Sequence, residues 1–119
     1  MSGKSEGKLM TKLLWNTPEK LRALLCELVS WDSRRLTEGG LTFAPKLEAK
    51  LMRLSYFRDH PEYLELQDAG YGRQTVIAFY KHQEATETVV LVSHFDTVQT
   101  EEYDVLEPLT FNPEELGYA

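Results

Sequence analysis

The sequence has one cysteine, Cys26, in 119 residues, which excludes an internal disulfide and a zinc finger built from several cysteines. Basic residues are also scarce, because 13 Lys and Arg stand against 19 Asp and Glu, for a formal net charge of −6. Non-specific affinity for nucleic acid depends on clustered Lys and Arg. The composition therefore argues against a nucleic-acid partner, and the single cysteine fits a reducing compartment.

Long apolar runs are absent as well. No stretch approaches the roughly 20 apolar residues that a bilayer-spanning helix requires, and the opening "MSGKSEGK" lacks the apolar segment of a signal peptide. We therefore predict a cytoplasmic protein that has no membrane partner. Residues 1–16 are predicted to form a flexible polar tail.

What the sequence does contain is typical of a small globular domain, with 42% hydrophobic residues. The clearest helix is predicted in "NTPEKLRALLCELVSW", where Thr17 caps the amino terminus and Pro18 occupies the first helical position. Apolar side chains recur at helical spacing along one face, which we predict to be core. These are Leu21, Leu24, Leu25, Leu28 and Val29.

A second helix is predicted in "APKLEAKLMRLSYF", residues 44–57, with Leu47, Leu51 and Leu54 on one stripe. The preceding "RRLTEGG", residues 34–40, is interpreted as a glycine-rich loop. The pattern after residue 60 changes from helical to extended.

Three strands are predicted there: "YLEL" (63–66), "QTVIAFY" (74–80) and "TVVLV" (88–92). The turn residues "QDAGYG" between the first two favour a hairpin, and the unbroken apolar character of the third favours an interior strand. The predicted fold class is α/β, with two helices packed on a mainly β-sheet C-terminal half.

Two polar residues, His94 and Asp96, follow the third predicted strand. Residues two apart in an extended chain point to the same side, so we expect these side chains to lie together. Two interpretations are open: a structural histidine hydrogen-bonded at a strand end, or a zinc ligand whose ring a carboxylate orients. His60 and His82 are interpreted as surface residues.

The segment "VVLVSHFDTV" resembles the metal-binding segment of the zinc-dependent exopeptidase and deacylase family, which includes carboxypeptidases, aminoacylases and succinyl-diaminopimelate desuccinylase. "HPEYLEL", "GRQTVIAFY" and "SHFDTVQTEEYDVLEPLTFNPEEL" extend the resemblance to the arginine-utilisation branch of the family. It implies a partial α/β metallopeptidase-like domain over residues 17–119 and a cytoplasmic hydrolase that uses zinc. His94 is implied as a metal ligand, and Asp96 as the catalytic-site residue that orients the ligands.

The same resemblance implies further residues that the 119 positions do not match, among them a bridging aspartate and a glutamate base. We therefore expect weak zinc binding and no activity from this chain alone. One hypothesis is an N-terminal segment of an amide hydrolase that acts on a small amino-acid derivative or peptide in arginine breakdown. The alternative is a non-catalytic α/β scaffold or self-associating module.

Overall fold

The computed structural model describes residues 14–117, which fall into two compact units. Of the described residues, the first unit combines 14–31 with 101–117, and the second spans Asp32–Thr100. Residues 1–13 of the predicted tail lie outside the described residues. No helix within residues 14–117 has both the length and the apolarity needed to cross a membrane.

Helix α1 of the first unit spans Pro18–Ser30 and confirms the prediction for this stretch. The hydroxyl of Thr17 accepts a hydrogen bond from the backbone N–H of Lys20 at 3.2 Å, and Pro18 begins the helix. At the other end, the N–H of Trp31 donates to the carbonyl of Leu28 at 3.2 Å. The local capping signals of Thr17 and Pro18 are therefore sufficient to place the start of α1.

The prediction that the apolar face of α1 is core was wrong. No residue of α1 is buried, and Leu25 is 61% exposed. In the described residues α1 packs against a short helix, Pro113–Leu116. Four helical residues offer too little apolar surface to cover a 13-residue helix. A 3-10 segment, Glu101–Leu109, completes this unit.

Helix α2 of the second unit spans Glu38–Leu51 and begins earlier than predicted. The hydroxyl of Thr37 accepts from the N–H of Gly40 at 3.2 Å, so the last three residues of the predicted glycine-rich loop, 38–40, form the first turn of a helix. The predicted single helix over residues 44–57 also divides. A separate short helix, α3, spans Ser55–Asp59, and a 3-10 turn follows at Pro61–Tyr63.

The predicted hairpin is confirmed. Strand β1, Leu64–Gly70, pairs antiparallel with strand β2, Arg73–Ala78. The predicted turn over residues 67–72 is shorter in the structure, since Tyr71 and Gly72 alone connect the strands. Both have positive φ, 55° and 75°, as a type I′ turn requires. A bulge between Asp68 and Gly70 shifts the register next to the turn.

The predicted interior strand over residues 88–92 was wrong. The sheet formed by the described residues has two strands, β1 and β2, and Val89–Val92 belong to neither. These four residues are 84%, 76%, 92% and 89% exposed, respectively. A strand needs a neighbour that offers free backbone groups, and no element within residues 14–117 pairs with this segment.

The core of the second unit lies where α2 packs against β1 and β2. Its most buried apolar residues are Phe43, Ala44, Phe57 and Leu64. The fold class is therefore mixed α/β, as predicted, but the predicted arrangement is wrong in detail. Strand structure in the described residues is confined to the hairpin, and the stretch after Thr100 is helical rather than β.

Candidate functional site

The side chains of His94 and Asp96 meet, as their spacing predicts. The Nδ1 atom of His94 lies 3.1 Å from the carboxylate Oδ1 of Asp96 and 3.1 Å from its backbone oxygen. A backbone carbonyl oxygen can only accept a hydrogen bond, and the same is true of an ionised carboxylate. The Nδ1 atom of His94 therefore carries the proton and donates it to Asp96. In the neutral ring the free lone pair is then on Nε2. A neutral imidazole with a free lone pair is the form of histidine that binds a metal ion.

The carboxylate of Asp96 has a second neighbour on its other oxygen. The Nε atom of Arg35 lies 3.9 Å from Oδ2 of Asp96. Asp96 therefore stands between the ring of His94 and a guanidinium, while the His94 side chain itself is 85% exposed. An orienting carboxylate and an accessible Nε2 are the two local requirements for a histidine ligand.

The segment that carries His94 and Asp96 is attached to the second unit by the residues beside them. The ring of Phe95 stacks on that of Phe43 in α2, with centroids 4.5 Å apart and planes 18° apart. The N–H of Thr97 donates to the carbonyl of Ser33 at 3.1 Å, and the N–H of Arg35 donates to the carbonyl of Thr97 at 3.0 Å. Phe95 therefore packs against the core, while the side chains of its two neighbours in the sequence, His94 and Asp96, contact each other.

A second ion pair, between Arg34 and Asp32, stabilises the loop to which this segment is hydrogen-bonded. Arg34 donates from Nε and Nη2 to the two carboxylate oxygens of Asp32, at 3.0 and 2.9 Å, and from Nη1 to the hydroxyl of Thr100 at 3.0 Å. The hydrogen bonds from Arg34 hold the pKa of Asp32 below its ordinary value of 3.8, against the opposing effect of partial burial. The bidentate geometry restrains residues 32–34.

Two glycines allow α2 to approach this loop. A Cβ atom at Gly40 would lie 2.4 Å from the carbonyl oxygen of Arg34, and one at Gly39 would lie 2.6 Å from that of Asp32. Only glycine fits such a contact. Sequence reasoning missed this role because it interpreted the pair as loop residues, although the Thr37 cap three residues before Gly40 was a usable signal.

A cleft of about 240 Å³ opens beside the His94 and Asp96 pair. Its lining is polar on several sides and includes residues from the hairpin and from the loop. The polar lining residues are Ser33, Arg73, Gln74, Thr75, Ser93, His94 and Asp96. The contribution of Arg73 and Gln74 was not predicted, because it depends on how the hairpin packs beside residues 93–96.

The described residues can supply one ligand of a zinc site, but they do not form a complete site. No group of three or more His, Cys, Asp or Glu side chains that is placed to hold a metal ion occurs within residues 14–117. Zinc in proteins usually has three or four protein ligands, so His94 with its Asp96 partner satisfies only part of that requirement. No step of a reaction can be derived through a metal from these residues alone.

The other two histidines lie apart from this cleft and border a different cavity of about 710 Å³. The ring of His60 stacks on that of Tyr63, with centroids 5.3 Å apart. The Nδ1 of His82 accepts from the N–H of Glu84 at 3.3 Å. Neither is joined to His94 or Asp96 by a contact in the described structure.

Comparison with curated proteins shows similarity to two proteins of Bacillus subtilis (strain 168). The chain is 34% identical to the uncharacterized protein YqjN over 102 residues and 31% identical to the protein RocB over 106 residues. Each match covers 86% of this chain but 19% of the relative, so the chain spans about a fifth of their length. No protein-family model matches the chain, and no solved structure matches it significantly. The similarity supports a RocB-like relationship.

Proposed function

We propose that this chain is a segment of a RocB-like, zinc-dependent amide hydrolase and supplies one metal ligand, His94, to its active site. The single observation that carries the proposal is the hydrogen bond from Nδ1 of His94 to Asp96, which leaves Nε2 available beside a cleft. The similarity to RocB over 86% of the chain supports the relationship. The substrate class that we propose is a small amino-acid derivative or peptide, in arginine breakdown.

In this proposal Asp96 is a positioning residue. Its carboxylate holds the ring of His94 in one tautomer and one orientation, and Arg35 stabilises the negative charge that Asp96 requires to do so. Zinc, when bound, would supply a more acidic water molecule for attack on an amide. In this proposal His94 binds the zinc ion and Asp96 orients the ring of His94. None of the described residues is assigned as the general base.

Zinc binding by the 119-residue chain is expected to be weak, because one imidazole leaves most of the coordination sphere to water. Amide hydrolysis by this chain alone is expected to be absent for the same reason. A cytoplasmic location is part of the proposal and is supported by the single unpaired Cys26.

Calorimetric titration with zinc tests the ligand assignment. The wild-type chain should show weak binding, His94→Ala should lose most of it, and the matched control His82→Ala should retain it. Tight binding that survives His94→Ala would refute the proposal. A longer polypeptide from the same gene, where the gene encodes one, should release amine from N-acyl amino acids or dipeptides in a chelator-sensitive reaction that His94→Ala abolishes.

A second candidate function is a self-associating, non-catalytic module. The observation that favours it is the run Val89–Val92, in which four consecutive apolar residues are at least 76% exposed. Contiguous apolar surface of this kind is typical of protein interaction sites. Amide hydrolysis by a longer polypeptide would decide against this candidate as the main function.

A further inference from the structure

The cavity of about 710 Å³ is lined by four aromatic residues whose rings contact one another. The ring of Tyr56 is central, because its centroid lies 5.0 Å from that of His60 and 4.9 Å from that of Tyr80. The ring centroid of Tyr63 lies 6.2 Å from that of Tyr56 and 5.3 Å from that of His60. These four residues therefore form a connected aromatic cluster at one cavity.

Two members of the aromatic cluster are open to solvent. Tyr80 is 69% exposed, and the side chain of His60 is 45% exposed. Each of these rings is inclined to the ring of Tyr56, Tyr80 by 47° and His60 by 46°. Because both lie at nearly the same distance from Tyr56 and at nearly the same inclination, a small group in the cavity can contact more than one ring.

The backbone around the aromatic cluster is held by hydrogen bonds. The hydroxyl of Tyr56 accepts from the N–H of Lys81 at 2.9 Å, which joins helix α3 to the segment after β2. The N–H of Phe79 donates to the carbonyl of Tyr63 at 2.8 Å, so backbone pairing continues beyond the open end of the hairpin. The ring of Phe79 also meets that of Tyr63 edge-on at 5.5 Å. The aromatic cluster is therefore formed without a ligand.

The charges near the aromatic cluster are mostly negative. Glu84 and Lys81 line the cavity, and neither takes part in an ion pair within residues 14–117. The carboxylate of Glu62 lies 3.6 Å from Nδ1 of His60, and the whole chain has a formal net charge of −6. The electrostatic field therefore favours a cation over an anion, although Lys81 opposes this preference.

We infer that this cavity binds a small molecule that carries a quaternary ammonium group. The face of an aromatic ring attracts a cation within about 6 Å of the ring centroid. A quaternary ammonium group has no N–H to satisfy, so it is compatible with a cavity that offers rings. A flat uncharged ligand fits less well, because it cannot stack at once on rings that are inclined to each other, such as those of Tyr56, His60 and Tyr80.

The size of the cavity agrees with a small-molecule ligand. Its volume of about 710 Å³ falls within the roughly 300–1,000 Å³ of small-molecule sites. The inference goes beyond the proposed function, because it requires neither zinc nor amide hydrolysis and uses none of the residues that line the cleft at His94.

Nuclear magnetic resonance of the ¹⁵N-labelled 119-residue chain with choline tests the inference. The uncharged probe is 3,3-dimethylbutan-1-ol, which has the shape of choline with carbon in place of the charged nitrogen. Choline should shift the backbone amide signals of Lys81, Gln83 and Glu84 in a saturable way. Its methyl protons should move upfield, as protons above a ring face do. The uncharged probe should bind at least about fivefold more weakly.

Substitutions separate the ring from the charges. Tyr80→Leu removes the most exposed ring of the cluster and should weaken choline binding at least about fivefold, whereas Tyr80→Phe keeps a ring face and should retain binding. Lys81→Gln removes the opposing charge and should strengthen binding, and Glu84→Gln should weaken it. Tyr103→Leu, at an exposed tyrosine that does not line the cavity, is the matched control and should bind as the wild type does.

Equal binding of choline and the uncharged probe by the wild type would overturn the inference, as would the absence of saturable choline binding. Undiminished binding by Tyr80→Leu would also overturn it; if that variant does not fold, the comparison of the two probes on the wild type still decides. The proposed function fails separately. His94→Ala should lose zinc but retain choline, and Tyr80→Leu should lose choline but retain zinc.

Discussion

The Nδ1 atom of His94 lies 3.1 Å from Oδ1 of Asp96, while Oδ2 of the same carboxylate lies 3.9 Å from Nε of Arg35. The carboxylate of Asp96 therefore contacts both the ring of His94 and the guanidinium of Arg35. The contact between His94 and Asp96 follows from their two-residue spacing. Arg35, in contrast, belongs to a loop that is distant in the sequence. The orientation of the His94 ring therefore depends on both local and long-range structure.

Removing the carboxylate should change the tautomer of His94. In Asp96→Ala the Nδ1–H loses its side-chain acceptor but keeps the backbone oxygen of residue 96, which lies 3.1 Å from Nδ1, so we expect the share of the Nδ1–H tautomer to fall and that of the Nε2–H tautomer to rise. Zinc binding by the chain should fall roughly tenfold. Ring ¹⁵N chemical shifts and zinc titration measure the two effects. Glu84→Ala, beside His82, is the control, and an unchanged tautomer ratio in Asp96→Ala would contradict the prediction.

Replacing the tyrosine of the hairpin turn should stabilise the protein. Tyr71 has φ of 55°, a conformation that costs an ordinary residue about 1 kcal/mol, and it is fully exposed, so it has no packing to lose. Tyr71→Asn should raise the free energy of unfolding by roughly 1 kcal/mol, because asparagine tolerates positive φ. Urea denaturation measures the change. Tyr71→Val should destabilise the protein, and a stabilising valine would refute the explanation.

Acid should weaken the pair formed by Asp32 and Arg34. The pKa of Asp32 is lower in the folded protein than its ordinary value of 3.8, so its ionised form contributes stability above that value. The contribution is lost as the pH falls through the lowered pKa. In Asp32→Asn we expect lower stability at neutral pH and a smaller loss on acidification.

Urea midpoints for the wild type and Asp32→Asn across the acidic range test this expectation. Asp59→Asn, at an exposed position near the end of α3, serves as the control and should follow the wild type. Parallel pH profiles for Asp32→Asn and the wild type would show that the pair contributes nothing that depends on pH.

Charges placed in the exposed apolar run should reduce self-association. Val90 and Leu91 are 76% and 92% exposed, so Val90→Lys and Leu91→Lys remove no packing within the described structure but oppose contact between copies. Sedimentation velocity over a range of concentrations should show association in the wild type and less in either variant. Tyr71→Lys, also fully exposed, is the control. A wild-type chain that stays monomeric at high concentration would rule out this surface as a self-association site.

The features that could be predicted from the sequence are those specified by neighbouring residues. Thr17 and Pro18 place the start of α1 through capping and a fixed φ. The hairpin follows from turn residues between two extended segments, and the contact of His94 with Asp96 follows from their spacing. None of these depends on a distant part of the chain.

The features that were mispredicted or missed depend on tertiary contacts. An apolar run such as Val89–Val92 indicates a strand that would be buried on both faces, but it contains no information on whether neighbouring strands exist in the same chain. The glycines at the start of α2 were interpreted as loop formers because their contact with the loop at residues 32–34 is not visible locally. The part that Arg73 takes in lining the cleft with His94 depends on the packing of the hairpin, which the local sequence does not show.

The attachment of Thr97 to Ser33 has a consequence for the order of folding. These residues are 64 positions apart, and closing so long a loop costs more entropy than forming the hairpin, whose strands are adjacent in sequence. We expect the hairpin to form early and the Ser33–Thr97 contact late. Hydrogen exchange at the Thr97 amide should accordingly be faster than at the paired amides of β1 and β2. The orientation of His94 would then be lost and regained by local opening while the sheet stays folded.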